Sequence, residues 1–157
     1  MRVGIGYDIH RFEAGRALIL GGVTFEGETG LAGHSDADVL LHAIIDALLG
    51  AAGAGDIGTH FPADDAKWKD APSLALAHET LALLRERGLA VDYVDATVIA
   101  ERPKLAPRVN EMEWAIADSL GIAPQRVNVK ATSNEGLGAI GRAEGIAAMA
   151  VATLTEA

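Results

Sequence analysis

The sequence has no cysteine, few aromatic residues and a shortage of basic ones. Without cysteine there can be no disulfide, iron–sulfur cluster, thiolate metal site or cysteine nucleophile, so any metal centre must draw on His, Asp or Glu. Two Trp, two Tyr and three Phe in 157 residues leave little for a stacking platform for single-stranded nucleic acid. Thirteen Lys and Arg against 22 Asp and Glu give a net charge of −9, which argues against nucleic acid or an anionic membrane as partner. A phosphate-bearing ligand would have to be met by locally placed cations. The longest apolar stretch, Val39 to Gly53, is interrupted by His42 and Asp46 and falls short of the roughly 20 residues needed to cross a bilayer. The start, Met1-Arg2-Val3-Gly4-Ile5-Gly6, has neither a secretory nor a transit pattern, and a cytoplasmic location is expected.

What is present is one domain's worth of chain, rich in alanine and glycine, with no repeat, no low-complexity segment and no composition break. Val3 to Phe12 alternates as a strand does. Ala17 to Val23 is a second apolar run, and the two are expected to form a hairpin around Glu13-Ala14-Gly15. Ser35-Asp36-Ala37-Asp38 has the form of a capping box and introduces a nearly all-apolar, hence buried, helix from Val39 to Leu49. A polar stretch from Gly53 to Asp70 is long for a connection and is expected to be functional. A second helix opens at Asp70-Ala71-Pro72 and stops at Gly88; a strand spans Ala90 to Glu101; a third helix runs through Met112 to a Gly121 stop; Arg126 to Thr132 is another strand. The run Gly145 to Leu154 has helix-favouring alanines and strand-favouring Ile146, Val151 and Thr153, and is assigned to a strand. The sum is an α+β domain, a mixed β-sheet with helices on one face. If the uncovered face is also apolar, self-association is expected.

Asp8 and His10 stand at i and i+2, on one face of a strand, and form a two-ligand edge suited to zinc; alone, the pattern equally describes an Asp–His hydrogen bond. His42 alters that balance. Asp38, His42 and Asp46 recur every four residues on a helix that must be buried, and buried ionisable groups need partners. His42 is the natural third ligand of an open Asp/His/His site, with Asp46 or Asp38 available to orient an imidazole. Gly33-His34-Ser35-Asp36 is read as a mobile, donor-rich loop ending at a helix N-terminus that favours an anion, with Ser35 and Asp36 also capping. In the segment Lys130 to Arg142, Thr132 and Ser133 offer hydroxyls, Glu135 a ligand for a hard cation, and Arg142 a phosphate contact. No G-x-x-x-x-G-K-[ST] loop and no G-x-S-x-G elbow occurs, which argues against an ATPase or a serine hydrolase.

Taken together, Gly6-Tyr7-Asp8-Ile9-His10-Arg11-Phe12, Gly33-His34-Ser35-Asp36-Ala37-Asp38, His42, Asp56-Ile57-Gly58-Thr59-His60-Phe61-Pro62, Glu101-Arg102-Pro103-Lys104 and Lys130-Ala131-Thr132 resemble the 2-C-methyl-D-erythritol 2,4-cyclodiphosphate synthase family, in order and over essentially the whole chain. The resemblance implies a domain that closes 4-diphosphocytidyl-2-C-methyl-D-erythritol 2-phosphate into a cyclic diphosphate and releases CMP; from the length of 157 residues a single such domain over 1–157 is expected, without a fused cytidylyltransferase. It implies zinc on Asp8, His10 and His42, and Mg²⁺ or Mn²⁺ on Glu135. His34 and Ser133 would stabilise the transition state. Ser35, Asp56, Ile57, Gly58, Phe61, Pro62, Asp64 and Asp65 would hold the erythritol side, and Ala100, Arg102, Pro103, Lys104, Leu105, Ala106 and Thr132 the cytidine side. It further implies a homotrimer with its sheets facing the three-fold axis, active sites between subunits, and a channel where Arg142 can meet a diphosphate. The chain departs from the family pattern at Ala63, where a carboxylate is frequent, at Ala139, where an aromatic is frequent, at Gly136 in place of a basic residue, and at Ser133 in place of Thr.

Overall fold

The computed structural model describes all 157 residues. Its centre is a five-stranded mixed sheet, strand order β4-β1-β7-β5-β6. The long strands β1 (Arg2–Glu13) and β7 (Gly145–Glu156) pair antiparallel from Arg2↔Leu154 to Arg11↔Gly145. β7 also pairs antiparallel with β5 (Leu89–Ile99), and β5 runs parallel to β6 (Val127–Thr132). The parallel pair requires a crossover, supplied by helix α4 (Val109–Leu120). β4 (Gly30–Leu31) adds a short edge beside β1.

The ambiguous C-terminal run is therefore the sheet's middle strand. Its alanines serve packing. Ala148, Ala150 and Ala152 point at helix α1 (Val39–Ala52), as do Gly4 and Gly6 of β1, and this carpet of small residues lets the helix lie close to the sheet. A Cβ on Gly6 would stand 1.9 Å from the Ala43 carbonyl oxygen, and one on Gly4 2.0 Å from that of Ala47. Helix α3 (Ser73–Glu86) packs beside α1 and α4. On the sheet's other face Val3, Ile5, Tyr7 and Ile9 alternate outward, next to Met149 and Val151; Ile5 is 67% exposed. An apolar sheet face open to water is the arrangement that self-association would relieve.

Three local expectations are corrected. Ala17–Val23 does not pair with β1: β2 (Leu18–Leu20) and β3 (Val23–Phe25) form their own two-stranded sheet, turning at Gly21-Gly22. Both of those glycines have positive φ, which suits a tight turn; Gly15 has it too and the chain does turn there, but the end of β1 pairs with Gly30-Leu31 and not with Ala17–Val23. Ser35 and Asp36 do not cap α1. The N-cap is Asp38, whose carboxylate accepts from Leu41 N–H at 3.0 Å and from Gly21 and Gly22 N–H at 2.9 and 2.7 Å, tying the β-turn to the helix. Asp38 is fully buried, so a carboxylate already occupies the helix end that was expected to receive an anion.

Burial and the nearby charge of Asp36 push the Asp38 carboxyl up to about 6, against the pull of the three N–H donors. The folded chain then holds a proton at Asp38 that the unfolded chain releases near pH 4, so stability should fall as pH rises from about 4 to 6. Urea denaturation at stepped pH should give that slope in the wild type and lose it in Asp38→Asn.

Candidate metal centre and substrate cleft

Strand pleating and helix docking bring three side chains to one point. Asp8 and His10 share the helix-facing side of β1, and His42 descends from the first turns of α1. Asp8 Oδ2 lies 2.8 Å from His10 Nε2 and 3.1 Å from His42 Nδ1, and the two ring nitrogens are 3.2 Å apart. His10 Nδ1 faces the Ala32 carbonyl at 2.6 Å; a carbonyl only accepts, so that nitrogen carries the hydrogen and Nε2 turns its lone pair to the cluster. Such a donor set repels itself unless a cation sits among it. Burial raises the Asp8 carboxyl, but hydrogen bonds to His10 and His42 and their charges outweigh this and hold it at about 2. Burial lowers His10, while the hydrogen bond and charge of Asp8 raise it above its ordinary value. Both shifts express the preference for positive charge. Ligand atoms of a tetrahedral zinc site with bonds of roughly 2.0–2.1 Å stand about 3.3 Å apart, close to the spacing here, and the N/N/O set suits zinc. The three residues fit such an ion.

The cluster opens into a cleft of about 240 Å³ lined also by His34, Ser35, Ile57, Gly58, Phe61, Ala63, Trp68 and Leu76. Phe61 meets Trp68 edge-on at 4.9 Å, and Lys67 lies 4.2 Å over the Trp68 ring, making one wall of the cleft. Trp68 and Leu76 were absent from the sequence-derived set; the only available signal was the rarity of tryptophan in this chain. Asp56, Pro62, Asp64 and Asp65 are not among the lining residues. Asp56 caps the short helix α2 (Ile57–His60) through Thr59, and Asp65 accepts from Lys67 N–H. They shape the loop that carries Phe61.

Asp38 and Asp46 were expected to orient an imidazole, and neither does. Asp38 is spent on the β-turn and cap, and Asp46 accepts from Ile57 N–H at 2.7 Å. The loop expected to be mobile is pinned on two sides. Arg16 donates to the Gly33 and Ser35 carbonyls at 2.6 Å each; the His34 carbonyl accepts from Asp70 N–H, and Asp36 N–H donates to the Ala71 carbonyl. The His34 ring reaches the Asp65 carbonyl at 3.1 Å.

The second group of residues lies elsewhere. Thr132 is opposite Ile99, Ile99 opposite Ala147, and Ile146 opposite His10, so β6 stands three strand spacings from β1, about 14 Å at ~4.8 Å each. Lys104, Ala106, Thr132, Ser133 and Glu135 are exposed there; Arg102, exposed too, reaches back to lay its guanidinium 5.2 Å over the Phe12 ring of β1, whereas the Leu105 side chain is buried in the core. Ala100 N–H donates to the Thr132 carbonyl. Glu101, which opens the Glu101-Arg102-Pro103-Lys104 motif, accepts from Asn134 and Gly136 N–H and shapes the turn carrying Glu135. Arg142 pairs with Glu144 at 2.7 Å. A separate hollow of about 600 Å³, lined by Ile9, Phe12, Ala139, Ile140 and Ala143 among others, opens beside that turn. Within one chain the Asp/His/His cluster and the Glu135 group do not meet.

Known proteins match this chain from end to end. The 2-C-methyl-D-erythritol 2,4-cyclodiphosphate synthase of Salinibacter ruber is 57% identical over 157 residues, 100% of both chains. The bifunctional enzyme IspD/IspF of Anaeromyxobacter dehalogenans is 58% identical over 154 residues, 98% of this chain but only 40% of that longer protein. Among solved structures, the CDP complex of IspF from Plasmodium falciparum superposes with a TM-score of 0.85 at 32% identity, covering 99% of this chain and 96% of that one. The YgbB family profile matches residues 1–155, and the chain belongs to that family.

Proposed function

We propose that this chain is a phosphorus–oxygen lyase of the non-mevalonate route to isoprenoid precursors, converting 4-diphosphocytidyl-2-C-methyl-D-erythritol 2-phosphate into 2-C-methyl-D-erythritol 2,4-cyclodiphosphate and CMP. The observation that carries the reading is the full-length identity with a cyclodiphosphate synthase, joined to an Asp/His/His cluster opening into a cleft. An oxygen of the substrate's 2-phosphate attacks the β-phosphorus in line; the bond from that phosphorus to the oxygen bridging the α-phosphorus breaks, and CMP leaves with that oxygen. No water is consumed. A nucleophile that is already anionic needs alignment and charge neutralisation more than a base.

Asp8, His10 and His42 would hold zinc and Glu135 Mg²⁺ or Mn²⁺, and when bound these ions would neutralise phosphate charge and polarise the β-phosphorus. His34, standing over the cleft on its pinned loop, donates to the transferring phosphate, and Ser133 does so from the other group. Ser35, Ile57, Gly58 and Phe61 enclose the erythritol portion, with Asp56, Pro62, Asp64 and Asp65 fixing that wall. Ala100, Arg102, Pro103, Lys104, Leu105, Ala106 and Thr132 take the cytidine end, in keeping with the CDP bound by the Plasmodium falciparum protein.

The separation of the two groups across the sheet is the argument for assembly. A homotrimer packed through the apolar faces of β1 and β7, sheets toward the three-fold axis, would set one copy's cluster against a neighbour's Lys104, Thr132 and Glu135. A single cytoplasmic domain belongs to the same reading; no helix is long and apolar enough to cross a membrane. The test is incubation of the purified protein with the cytidyl substrate, Zn²⁺ and Mg²⁺, products followed by mass spectrometry and particle mass by light scattering. Equal amounts of CMP and cyclic diphosphate from a species of three chains are expected. Linear phosphate products would instead indicate a hydrolase using the same cluster, and a monomeric active species would overturn the shared site.

A further inference from the structure

His42 presents Nδ1 to Asp8, and its other ring nitrogen, Nε2, lies 3.0 Å from two hydroxyls, Ser35 Oγ and Ser73 Oγ. Ser73 was not singled out by the sequence. It is the first residue of α3, fully buried, and reaches His42 across 31 positions of chain. Which nitrogen of His42 bears the hydrogen follows from proton accounting. Ser73 has one hydroxyl hydrogen, and it is directed to Asp36 Oδ1. Asp36 is an acceptor on every side: Oδ2 takes Ser73 N–H at 2.8 Å and Oδ1 also takes Asp38 N–H at 3.1 Å. With its hydrogen committed, Ser73 Oγ can only accept from the imidazole. Were Nε2 bare, Ser73 would have to abandon the carboxylate, and two hydroxyls would compete for a single in-plane lone pair. An Nε2–H shared between the two oxygens satisfies all three groups.

We propose that Asp36, acting through the Ser73 hydroxyl, is a positioning residue that fixes His42 as its Nε2–H tautomer and so holds Nδ1 ready as a metal ligand. The relay rests on the metal-centre reading above and extends it outward, from a loop residue through the N-terminus of α3 to the cluster. Outer partners of this kind orient ligating imidazoles, and their loss commonly weakens metal binding about 10- to 100-fold. Asp36→Asn is the informative change. The amide has one oxygen where the carboxylate has two, so one of the three donors now at Asp36 faces an NH₂ group, and Ser73 can be made to accept there and donate to His42 instead.

The test uses the full-length protein with zinc alone, free of substrate. Zinc affinity is measured by competition with a chromophoric chelator for wild type, Ser73→Ala, Asp36→Asn and the double variant, with melting curves reporting folding. In parallel, ¹⁵N imidazole spectra of the metal-free proteins are taken near pH ~9, well above the ordinary His value of about 6.5. We expect the wild-type His42 ring to carry its hydrogen on Nε2, each single variant to bind zinc at least ~10-fold more weakly, and Asp36→Asn to move the ring toward the Nδ1–H form. Asp36→Asn should add little once Ser73 is alanine, a non-additivity that a purely structural role would not give. An Nδ1–H wild-type ring, affinities within twofold, or additive losses would overturn the proposal; if Asp36→Asn does not fold, the wild-type spectrum and the affinity of Ser73→Ala decide it. Intact zinc binding without cyclase activity would sink the proposed function and leave this relay standing.

Discussion

Replacing His42 by alanine is expected to abolish cyclodiphosphate formation, with a loss of turnover greater than ~100-fold, above the range typical of merely orienting partners. The same variant should fail to retain zinc through dialysis. The reason is geometric. Asp8 and His10 alone leave a two-donor edge on an open strand, and His42 is the residue that closes the set from the opposite layer. Little of the fold depends on it: the side chain is 11% exposed and its neighbours Ser35 and Ser73 are hydroxyls, one already bonded to Asp36 and the other accepting from Ala37 N–H. Substrate turnover and metal content by atomic emission, with a circular dichroism spectrum as control, decide the matter. A non-catalytic binding protein would tolerate the change, and an active, zinc-free His42→Ala protein would overturn the ligand assignment.

The largest effect on stability is expected from Gly6→Ala. The added methyl would stand 1.9 Å from the Ala43 carbonyl oxygen and 2.8 Å from Ala47 N, and both are backbone atoms of a helix that cannot rotate aside. Ordinary overpacking of side chains costs roughly 1–3 kcal/mol. Here α1 itself must lift from β1 and β7, so a loss above ~3 kcal/mol is expected, a large share of the 5–15 kcal/mol typical of a domain. For a chain of this size that corresponds to a fall in Tm of at least about 6–12 °C. The contrast is Gly50→Ala, in α1 itself, with its new methyl no nearer than 3.9 Å to Ile5 O; it should stabilise by ~0.5–1 kcal/mol through helix propensity. Melting curves of the two variants test the close approach directly. Because Gly6 precedes Asp8 by two residues and faces the turn of α1 that carries His42, zinc affinity should fall with Gly6→Ala and hold with Gly50→Ala.

Much of the site is legible in the sequence because it follows from local periodicity. A two-residue period puts Asp8 and His10 on one side of β1, and an almost unbroken apolar helix leaves His42 conspicuous. Gly88 and Gly121, with φ of +68° and +64°, stop their helices where the pattern placed them. What was not legible is contact between distant segments. Several of Ser35, Asp36 and Asp38 could cap α1, and only the position of the Gly21-Gly22 turn selects Asp38. Ser73 carried no signal at all, since its role depends on α3 docking its N-terminus against Asp36. Short strands such as β2 and β3 fit several partners by pattern, so their pairing with each other could not be read from alternation.

The sequence by itself determined the elements and the chemistry on offer: an α+β chain with no thiol, metal sites limited to Asp, Glu and His, and phosphate binding that must rely on local cations. Tertiary structure decided which donors converge and which stay apart. Alanine and glycine in β1 and β7 set how close α1 lies, and that distance brings His42 Nδ1 to 3.1 Å from Asp8. Strand order, a non-local property, set Thr132 and Glu135 apart from that cluster, and left the apolar face of β1 and β7 open to water.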